Sequence, residues 1–293
     1  MKRLRTLQTN LLDTRVGRVA SQTVKGFFDD NGGILAGNLA YMSLLALFPF
    51  FIFCVSLAGL FGRTQEGLEA VQTLINSIPP QVAEVLVGPI NQVLAETTKR
   101  ELLTFGAIVT IWTAANFIET VRVIVLVAYN QSSTRSLWFQ RLQSTLLVLA
   151  SALILFAFLI VQFILNTVQT VLETYLPRLK SITDFIQIVG TGVAPFILVL
   201  GLYGLLRALT PREILPVRHW PGALLTAVVW MISAQLLPVA LAVLGSYSLT
   251  YGSLAGIIIT LLFFYVLGIG LVLGAQLNAA LRLERLRLAE TVS

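Results

Sequence analysis

Three side chains that could do chemistry stand inside an otherwise apolar stretch. The stretch reads IWTAANFIETVRVIVLVAYN, residues 111–130, and its chemically active side chains are Asn116, Glu119 and Arg122. At about 100° per residue, these three and Trp112 lie within roughly a third of a helix circumference, so they form one polar stripe. A carboxylate and a guanidinium three residues apart can reach each other and pair.

Two roles for this polar stripe follow from its chemistry. An unpaired charge at the centre of a bilayer costs from about 2.5 to more than 10 kcal/mol, so pairing is the first reason that the charges are tolerated. In the structural role, the ion pair of Glu119 and Arg122 locks helices together. In the functional role, the stripe lines a cytoplasm-facing cavity, where Arg122 attracts an anionic headgroup and Glu119 holds or releases that cation.

The rest of the sequence lacks a recognisable catalytic constellation. A metal nuclease or hydrolase needs clustered His, Asp, Glu or Cys ligands, and the chain has a single histidine, His219, which we expect at the membrane interface. No P-loop, nucleophile elbow or dinucleotide fingerprint occurs at a usable position. We therefore expect no enzyme activity, no catalytic residues, no metal site and no cofactor.

The elements that must position the stripe are membrane helices. The 293 residues are 56% hydrophobic and only 12% charged, which is too apolar for a soluble domain. A bilayer core about 30 Å thick takes roughly 20 apolar residues per crossing. The fold is predicted to be all-α, a polytopic membrane protein with six transmembrane helices over 34–62, 102–129, 142–165, 186–209, 220–244 and 251–281.

One membrane domain is predicted to include all of residues 1–293. Residues 1–33 form a cytoplasmic amphipathic N-terminal segment, residues 34–281 the six-helix region, and residues 282–293 a cytoplasmic tail. Helical spacing of apolar residues predicts an interfacial helix over 11–28.

Local signals add detail between and within these spans. Amphipathic helices are expected on the periplasmic side over 63–101, between spans 1 and 2, and again over 168–180. The apolar face of the interfacial helix is predicted to contain Leu12, Val16, Val19, Val24 and Phe27. A break is expected at Gly32-Gly33.

Prolines and glycines inside the apolar runs also predict local geometry. Three prolines should kink or interrupt their helices: Pro49, Pro195 and Pro238. Two G-x-x-x-G spacings allow close helix approach, Gly252 with Gly256 and Gly270 with Gly274. Packing inside the molecule is the preferred interpretation of these pairs over dimerisation, and the state of oligomerisation stays open.

Basic residues in short flanking segments predict the orientation. One side of the six-span arrangement carries Lys2, Arg3, Arg5, Arg15, Arg18, Lys25, Arg135, Arg141, Arg207, Arg212, Arg218, Arg282, Arg285 and Arg287. The other side has fewer cations, diluted by acidic residues. Both termini should therefore be cytoplasmic. Because these cations flank the cytoplasmic ends of the helices, where anionic headgroups attract them, we expect membrane lipids as partners and no nucleic acid.

Four stretches together resemble the YihY/BrkB family of bacterial inner-membrane proteins. They are LAYMSLLALFPF (39–50), the Trp112-Thr113-Ala114 element with AYNQSSTRSLWFQR (128–141), PVRHWPGALLTAVVW (216–230) and YGSLAGIIITLLFFYVLGIGLVLGAQLNAAL (251–281). The motif residues are Tyr41, Pro49, Trp112, Asn130, Arg135, Pro221, Gly222, Tyr251, Gly252, Gly274, Gln276 and Asn278.

The resemblance implies a six-helix inner-membrane fold with cytoplasmic termini. Some members have carried a tRNA-processing ribonuclease label, others are linked to virulence, and the family is often proposed to move lipids or other amphiphiles. No catalytic residue set comes with it. The chain departs from the pattern at two positions. Gln276 stands where members commonly have glutamate, and Met42 stands where tyrosine is frequent. A proton-carrying acid at position 276 is therefore not supported here.

Three functions follow, in order of preference. The first is a transporter or flippase-like protein for a lipid or amphiphilic solute, indicated by prolines within spans, amphipathic covers and polar side chains at membrane depth. The second is a non-transporting membrane scaffold or envelope-assembly factor. The third and weakest is the ribonuclease. The sequence identifies neither the solute nor the energy source.

Overall fold

The computed structural model describes residues 14–61, 100–132, 136–175, 180–214, 216–244 and 254–290. This part of the chain is all-α, as predicted. Its helices are α1 (Arg15–Asp29), α2 (Gly32–Phe61), α3 (Arg100–Ala128), α4 (Leu137–Tyr175), α5 (Lys180–Leu209), a 3₁₀ helix (Arg212–Ile214), α6 (Trp220–Leu244) and α7 (Leu254–Glu290).

Five helices in the described ranges are long and apolar enough to cross a membrane. These crossings are Thr104–Ala128, Leu137–Leu155, Gly192–Leu209, Trp220–Val239 and Gly256–Glu290. The first predicted span falls on α2, whose recorded apolar segment is Gly32–Leu47. Helices α4 and α7 have 39 and 37 residues. They are therefore about 58 and 56 Å long, well beyond the thickness of a bilayer core.

The predicted interfacial helix is α1, and its boundary with α2 differs from the prediction. The chain breaks at Asn31, whose φ of 54° lies in the left-handed region that asparagine tolerates. Gly32, expected at the break, is instead the first residue of α2. A Cβ at Gly32 would lie 2.7 Å from the backbone oxygen of Phe27, so glycine permits the tight turn.

The predicted apolar face of α1 is divided between two environments. Val19 is buried and Phe27 packs against the core, whereas Val16 and Val24 are exposed. Leu12 lies outside the described residues. Helix α1 therefore has a side that packs against the bundle and an apolar side that faces outward.

The packed core lies at one end of the helix bundle. It is built from α2, α3, α5, α6 and α7, with these residues fully buried at its centre: Leu39, Val121, Ile124, Leu206, Ala223 and Leu271. Among the described side chains of α4, only Ser144 is buried. Helix α4 is thus peripheral, and it is attached by Leu147 and Val148, which pack against the core, and by polar contacts with α3 and α5.

The prolines and the periplasmic segments correct part of the prediction. Helices α2, α5 and α6 continue through their prolines, so the prolines do not interrupt them, and a kink at these positions stays a prediction. The carbonyl oxygen of Pro49 accepts a hydrogen bond from the Thr110 hydroxyl at 2.7 Å, which ties α2 to α3. Residues 168–175 are the last turns of α4 rather than a separate helix. Of the amphipathic segment predicted over 63–101, residues 63–99 lie outside the described residues, and Arg100 and Glu101 begin α3.

The second glycine pair, Gly270 with Gly274, packs inside the molecule, which is the interpretation preferred from the sequence. A Cβ at Gly274 of α7 would lie 2.6 Å from the backbone oxygen of Gly222 in α6. The Thr226 hydroxyl donates to the Gly222 oxygen at 2.9 Å and is 3.2 Å from the Gly270 oxygen. Small residues thus allow the two backbones to approach closely. Gly252 of the first pair lies outside the described residues.

Candidate functional site

The polar stripe of α3 contains an ion pair. The Arg122 Nε lies 2.9 Å from Glu119 Oε2. The two side chains differ in burial, because that of Arg122 is 6% exposed and that of Glu119 is 28% exposed. Pairing therefore compensates the buried cation, as the sequence predicted, while the carboxylate keeps access to the outside.

Arg122 also joins α3 to α4 by hydrogen bonds. Its Nη1 donates to Gln143 Oε1 at 3.0 Å, and its Nη2 donates to the Gln140 carbonyl at 3.2 Å and to the Ser144 hydroxyl at 2.9 Å. With the bond to Glu119, four of the five guanidinium N–H groups are used. Little capacity is left for a ligand, so Arg122 holds helices together.

The network continues through two side chains of α4. The Ser144 hydroxyl donates to Glu119 Oε1 at 2.5 Å, so both carboxylate oxygens of Glu119 accept a hydrogen bond. The Gln143 amide accepts from Arg122 and donates to the Ala208 carbonyl of α5 at 2.8 Å. Polar contacts thus connect α3, α4 and α5, and they add to the packing of Leu147 and Val148 of α4 against the core.

Asn116, the third residue of the stripe, binds a second arginine. Arg141 Nη1 donates to Asn116 Oδ1 at 2.5 Å, and Nη2 donates to the Trp112 carbonyl at 3.0 Å. The guanidinium carbon lies 4.0 Å from the centroid of the Trp112 ring. Arg141 was predicted from the sequence only as a cytoplasmic flanking cation, and this contact was not predicted. A cation near the start of an apolar span was the available signal.

A pocket of about 530 Å³ opens beside the stripe, between α2, α3 and α4. Its polar lining contains Asn38, Asn116, Glu119, Thr120, Arg122 and Gln140. Its apolar lining contains Met42, Val123, Leu126 and Leu137. All three predicted residues of the stripe therefore border one cavity. The mixed lining suits a molecule that has both a polar and an apolar part.

The motif residues of the resemblance lie at several helix junctions rather than in one site. Asn278 Oδ1 accepts from the Gly222 amide at 2.8 Å, joining α7 to α6 at the turn that also contains Pro221. Gln276 Nε2 donates to Asp30 Oδ2 at 2.6 Å, joining α7 to the end of α1. Asn130 follows the last turn of α3 with a φ of 51°.

Some of the remaining motif residues lie in the described part of the chain and others lie outside it. Tyr41 is exposed on α2, and Trp112 is exposed on α3 beneath Arg141. Arg135, Tyr251 and Gly252 lie outside the described residues.

His219 is buried, which corrects the expectation of an interfacial side chain. It is 3% exposed, and neither ring nitrogen has a hydrogen-bond partner in the described part of the chain. Burial, with a smaller effect of the Arg207 charge, lowers the pKa of His219 below its ordinary value of 6.5. No group of three or more His, Cys, Asp or Glu side chains within the described ranges could hold a metal ion.

Comparison with known proteins covers nearly the whole chain. The family model described as "Virulence factor BrkB" matches residues 23–291. The ribonuclease-like protein YfkH of Bacillus subtilis (strain 168) is 28% identical over 84% of this chain and 88% of its own length. Two proteins named "UPF0761 membrane protein" also match. That of Delftia acidovorans is 28% identical over 87% of this chain, and that of Verminephrobacter eiseniae is 24% identical over 90%.

The lengths of the two UPF0761 relatives differ from that of this chain. It spans 60% of the Delftia protein and 62% of the Verminephrobacter protein. No solved structure is significantly similar to the chain.

Proposed function

The chain belongs to the BrkB family of multi-pass membrane proteins, and from that premise we propose that it is a transporter or flippase-like protein for a lipid or amphiphilic solute. We also propose a six-span arrangement in the bacterial inner membrane, with α2 as the first crossing and both termini in the cytoplasm. The charge distribution supports this orientation, because basic residues collect on the side of the termini.

The observation that carries the transport proposal is the pocket between α2, α3 and α4. Its lining includes two ionisable side chains, Glu119 and Arg122, within the candidate span Thr104–Ala128, where a charged group is costly without a partner. The same pocket also has apolar lining, with Met42, Val123 and Leu126. A polar headgroup can contact the polar side chains while an acyl chain contacts the apolar ones, so the mixed lining supports an amphiphile rather than an ion or a sugar.

Within this proposal, Glu119 and Arg122 have different roles. Glu119 borders the pocket and keeps partial exposure, so its carboxylate can accept a hydrogen bond or a positive charge from a passing headgroup. Arg122 is held by three acceptors besides Glu119, so it positions the carboxylate. This assignment differs from the initial hypothesis, in which Arg122 attracted the headgroup.

A scaffold is the second candidate, and one observation favours it. The Glu119, Arg122 and Ser144 contacts join α3 to α4, as expected of a structural lock. A ribonuclease is the weakest candidate, supported here by the name of the Bacillus relative. We propose that the protein is not an enzyme, and we expect no cleavage of tRNA by purified protein with or without divalent metal.

The transport proposal is tested by filling the pocket. Asn38 lines the cavity from α2, so Asn38→Trp should occupy it without removing a contact of the ion pair. The matched control is Ile34→Trp, one helical turn earlier on α2, exposed and outside the cavity lining. The purified chain is reconstituted into liposomes containing a fluorescent phospholipid, with and without a proton gradient. Transbilayer movement is followed by quenching of the outer leaflet with dithionite.

We expect wild-type protein and Ile34→Trp to accelerate movement of the lipid and Asn38→Trp to lose most of the acceleration. Thermal stability of each variant is measured in parallel to separate blockage from misfolding. No acceleration by wild-type protein under either condition would contradict the proposal and favour the scaffold. Equal activity of the two tryptophan variants would remove the pocket from the pathway.

A further inference from the structure

We propose that Arg141, held against Trp112 and Asn116, binds the phosphate group of an anionic membrane lipid. The inference deepens the proposed function and rests on it for its biological purpose, since Asn116 borders both this arginine and the pocket. Binding itself can be measured without transport.

The guanidinium of Arg141 is oriented before any ligand arrives. Its position is defined by the Trp112 ring 4.0 Å away and by hydrogen bonds to Asn116 Oδ1 and the Trp112 carbonyl. These two bonds use two of the five N–H groups of the side chain. The remaining donors form part of the planar fork that fits phosphate oxygens, and little side-chain entropy remains to be lost on binding.

The charge of Arg141 lacks an acidic partner within the described chain. The ion pairs recorded there are Arg18 with Glu284 and Arg122 with Glu119. Both contacts of Arg141 are neutral oxygens, and an aromatic face attracts a cation without cancelling its charge. Asn116 and Trp112 lie within the span Thr104–Ala128, and Arg141 lies within Leu137–Leu155. An uncompensated cation at that depth favours binding of an anion.

The surroundings favour a lipid as the source of this anion. Trp112 is 62% exposed, and apolar side chains beside it face outward: Ile108 on α3, and Leu137, Trp138 and Leu142 on α4. An exposed apolar surface on membrane-spanning helices contacts acyl chains. A phosphate carried by a lipid can therefore reach Arg141 while its chains cover this surface. Arg122 is unsuited to the same task, because its charge is paired and its side chain is buried.

The inference is tested by counting lipids on the full-length protein. Native mass spectrometry of detergent-purified protein, titrated with phosphatidylglycerol or phosphatidylcholine, gives an affinity for each lipid. We expect preferential retention of phosphatidylglycerol, and in Arg141→Gln an affinity for that lipid about tenfold lower, as expected from loss of a charge-assisted hydrogen bond. Arg141→Lys keeps the charge but not the fork, so its loss should be smaller.

Arg207→Gln is the matched control, since Arg207 is an exposed arginine of α5 hydrogen-bonded to the Tyr203 hydroxyl at 3.0 Å. It should retain wild-type affinity. If Arg141→Gln does not fold, Trp112→Ala tests the same site, because this substitution removes the aromatic ring beneath Arg141 and leaves the charge. The Trp112→Ala protein should also bind phosphatidylglycerol more weakly.

Three results would overturn the inference. The first is unchanged affinity for phosphatidylglycerol in Arg141→Gln. The second is an equal loss in Arg207→Gln, and the third is displacement of the lipid by inorganic phosphate at matched concentration, which would assign the site to free phosphate. Lipid binding that depends on Arg141 without transbilayer movement would contradict the transport proposal alone. Movement with unchanged binding in Arg141→Gln would contradict this inference alone.

Discussion

At the scale of single residues, two charged side chains that lie on one stripe differ in how deeply they are buried. Glu119 and Arg122 are one helical turn apart and both line the pocket, yet the arginine is buried among acceptors while the carboxylate is partly exposed. Removing one partner of a buried pair is costlier than the pair itself is stabilising, because the other charge is left uncompensated. The two residues should therefore respond differently to neutralisation.

We predict that Arg122→Gln destabilises the protein more than Glu119→Gln. Loss of Arg122 breaks four hydrogen bonds and leaves Glu119 unpaired, which should lower the free energy of unfolding by about 3 kcal/mol. Glu119→Gln removes the counter-charge of the buried Arg122, but Arg122 keeps its acceptors on Gln140, Gln143 and Ser144, and the new amide oxygen can still accept from it. Thermal unfolding in detergent measures both variants. Equal losses of stability would contradict the larger contribution assigned to the hydrogen bonds of Arg122.

A second residue-scale prediction concerns acid stability. The pKa of His219 is lowered in the folded protein by burial and then by the Arg207 charge, while the unfolded chain keeps a value near 6.5. Between these two values the unfolded state binds more protons, so stability is present above 6.5 and is lost as the pH falls towards the folded pKa. His219→Phe should remove this loss. Melting temperatures of both proteins across pH 6.5 provide the measurement, and parallel pH profiles would contradict the assignment.

At the scale of helices, backbone contact between α6 and α7 leaves no room for a side chain. A Cβ at Gly222 would clash with the Gly274 carbonyl and with Asn278. Gly222→Ala should therefore lower the free energy of unfolding by about 1–3 kcal/mol through overpacking. Gly204→Ala on α5 is the control, because nothing lies within 4 Å of the added methyl group, and it should be neutral or stabilising. A neutral Gly222→Ala would contradict the close approach.

Helix α1 is the second element whose position depends on a few contacts. Arg18 Nη2 lies 2.6 Å from Glu284 Oε1 on α7, and the Gln276 amide donates to Asp30. The outer face of α1 exposes Val16, so we expect α1 to lie against the bilayer on that face and against α7 on the other.

Glu284→Gln should loosen α1 from α7, because the charge-assisted bonds from Arg18 are lost. Hydrogen exchange of residues 15–29 should become faster, while exchange in α3 stays unchanged. Glu213→Gln, at an exposed position in the 3₁₀ helix, is the control. Unchanged exchange in α1 would contradict this prediction, because it would mean that the other contacts of α1 are sufficient to hold it against α7.

At the scale of the whole molecule, the bundle combines an apolar core with a peripheral helix held by polar groups. In lipid, burying apolar side chains gives little drive for helix association, because acyl chains are equally apolar. The hydrogen bonds of Gln143, and that from Gln162 to the Gly190 carbonyl at 3.1 Å, are therefore well suited to attach α4.

The orientation of the whole chain is a separate prediction. Reporter fusions at residues 5, 135, 213 and 288 should report a cytoplasmic location, and fusions near residues 80 and 175 should report a periplasmic one, because basic residues flank the first set. Alkaline phosphatase and green fluorescent protein fusions give complementary signals for each site. A periplasmic signal at both termini would contradict the proposed orientation.

The all-α membrane architecture and the ion pair were predictable from amino-acid order, because both depend on local properties. Apolar run length specifies candidate crossings, and three-residue spacing brings Glu119 close to Arg122 whatever surrounds them. The close packing at Gly270 and Gly274 was predictable for the same reason, since small residues one turn apart leave a groove on a helix.

Tertiary packing decided what each polar side chain does. Burial of His219, the acceptors around Arg122 and the placement of Arg141 on Trp112 arise from helices distant in sequence, and helical periodicity carries no information about which helix is the neighbour. Local sequence thus specifies which groups lie at membrane depth, while the partners that neutralise, bury or expose them are set by contacts between helices.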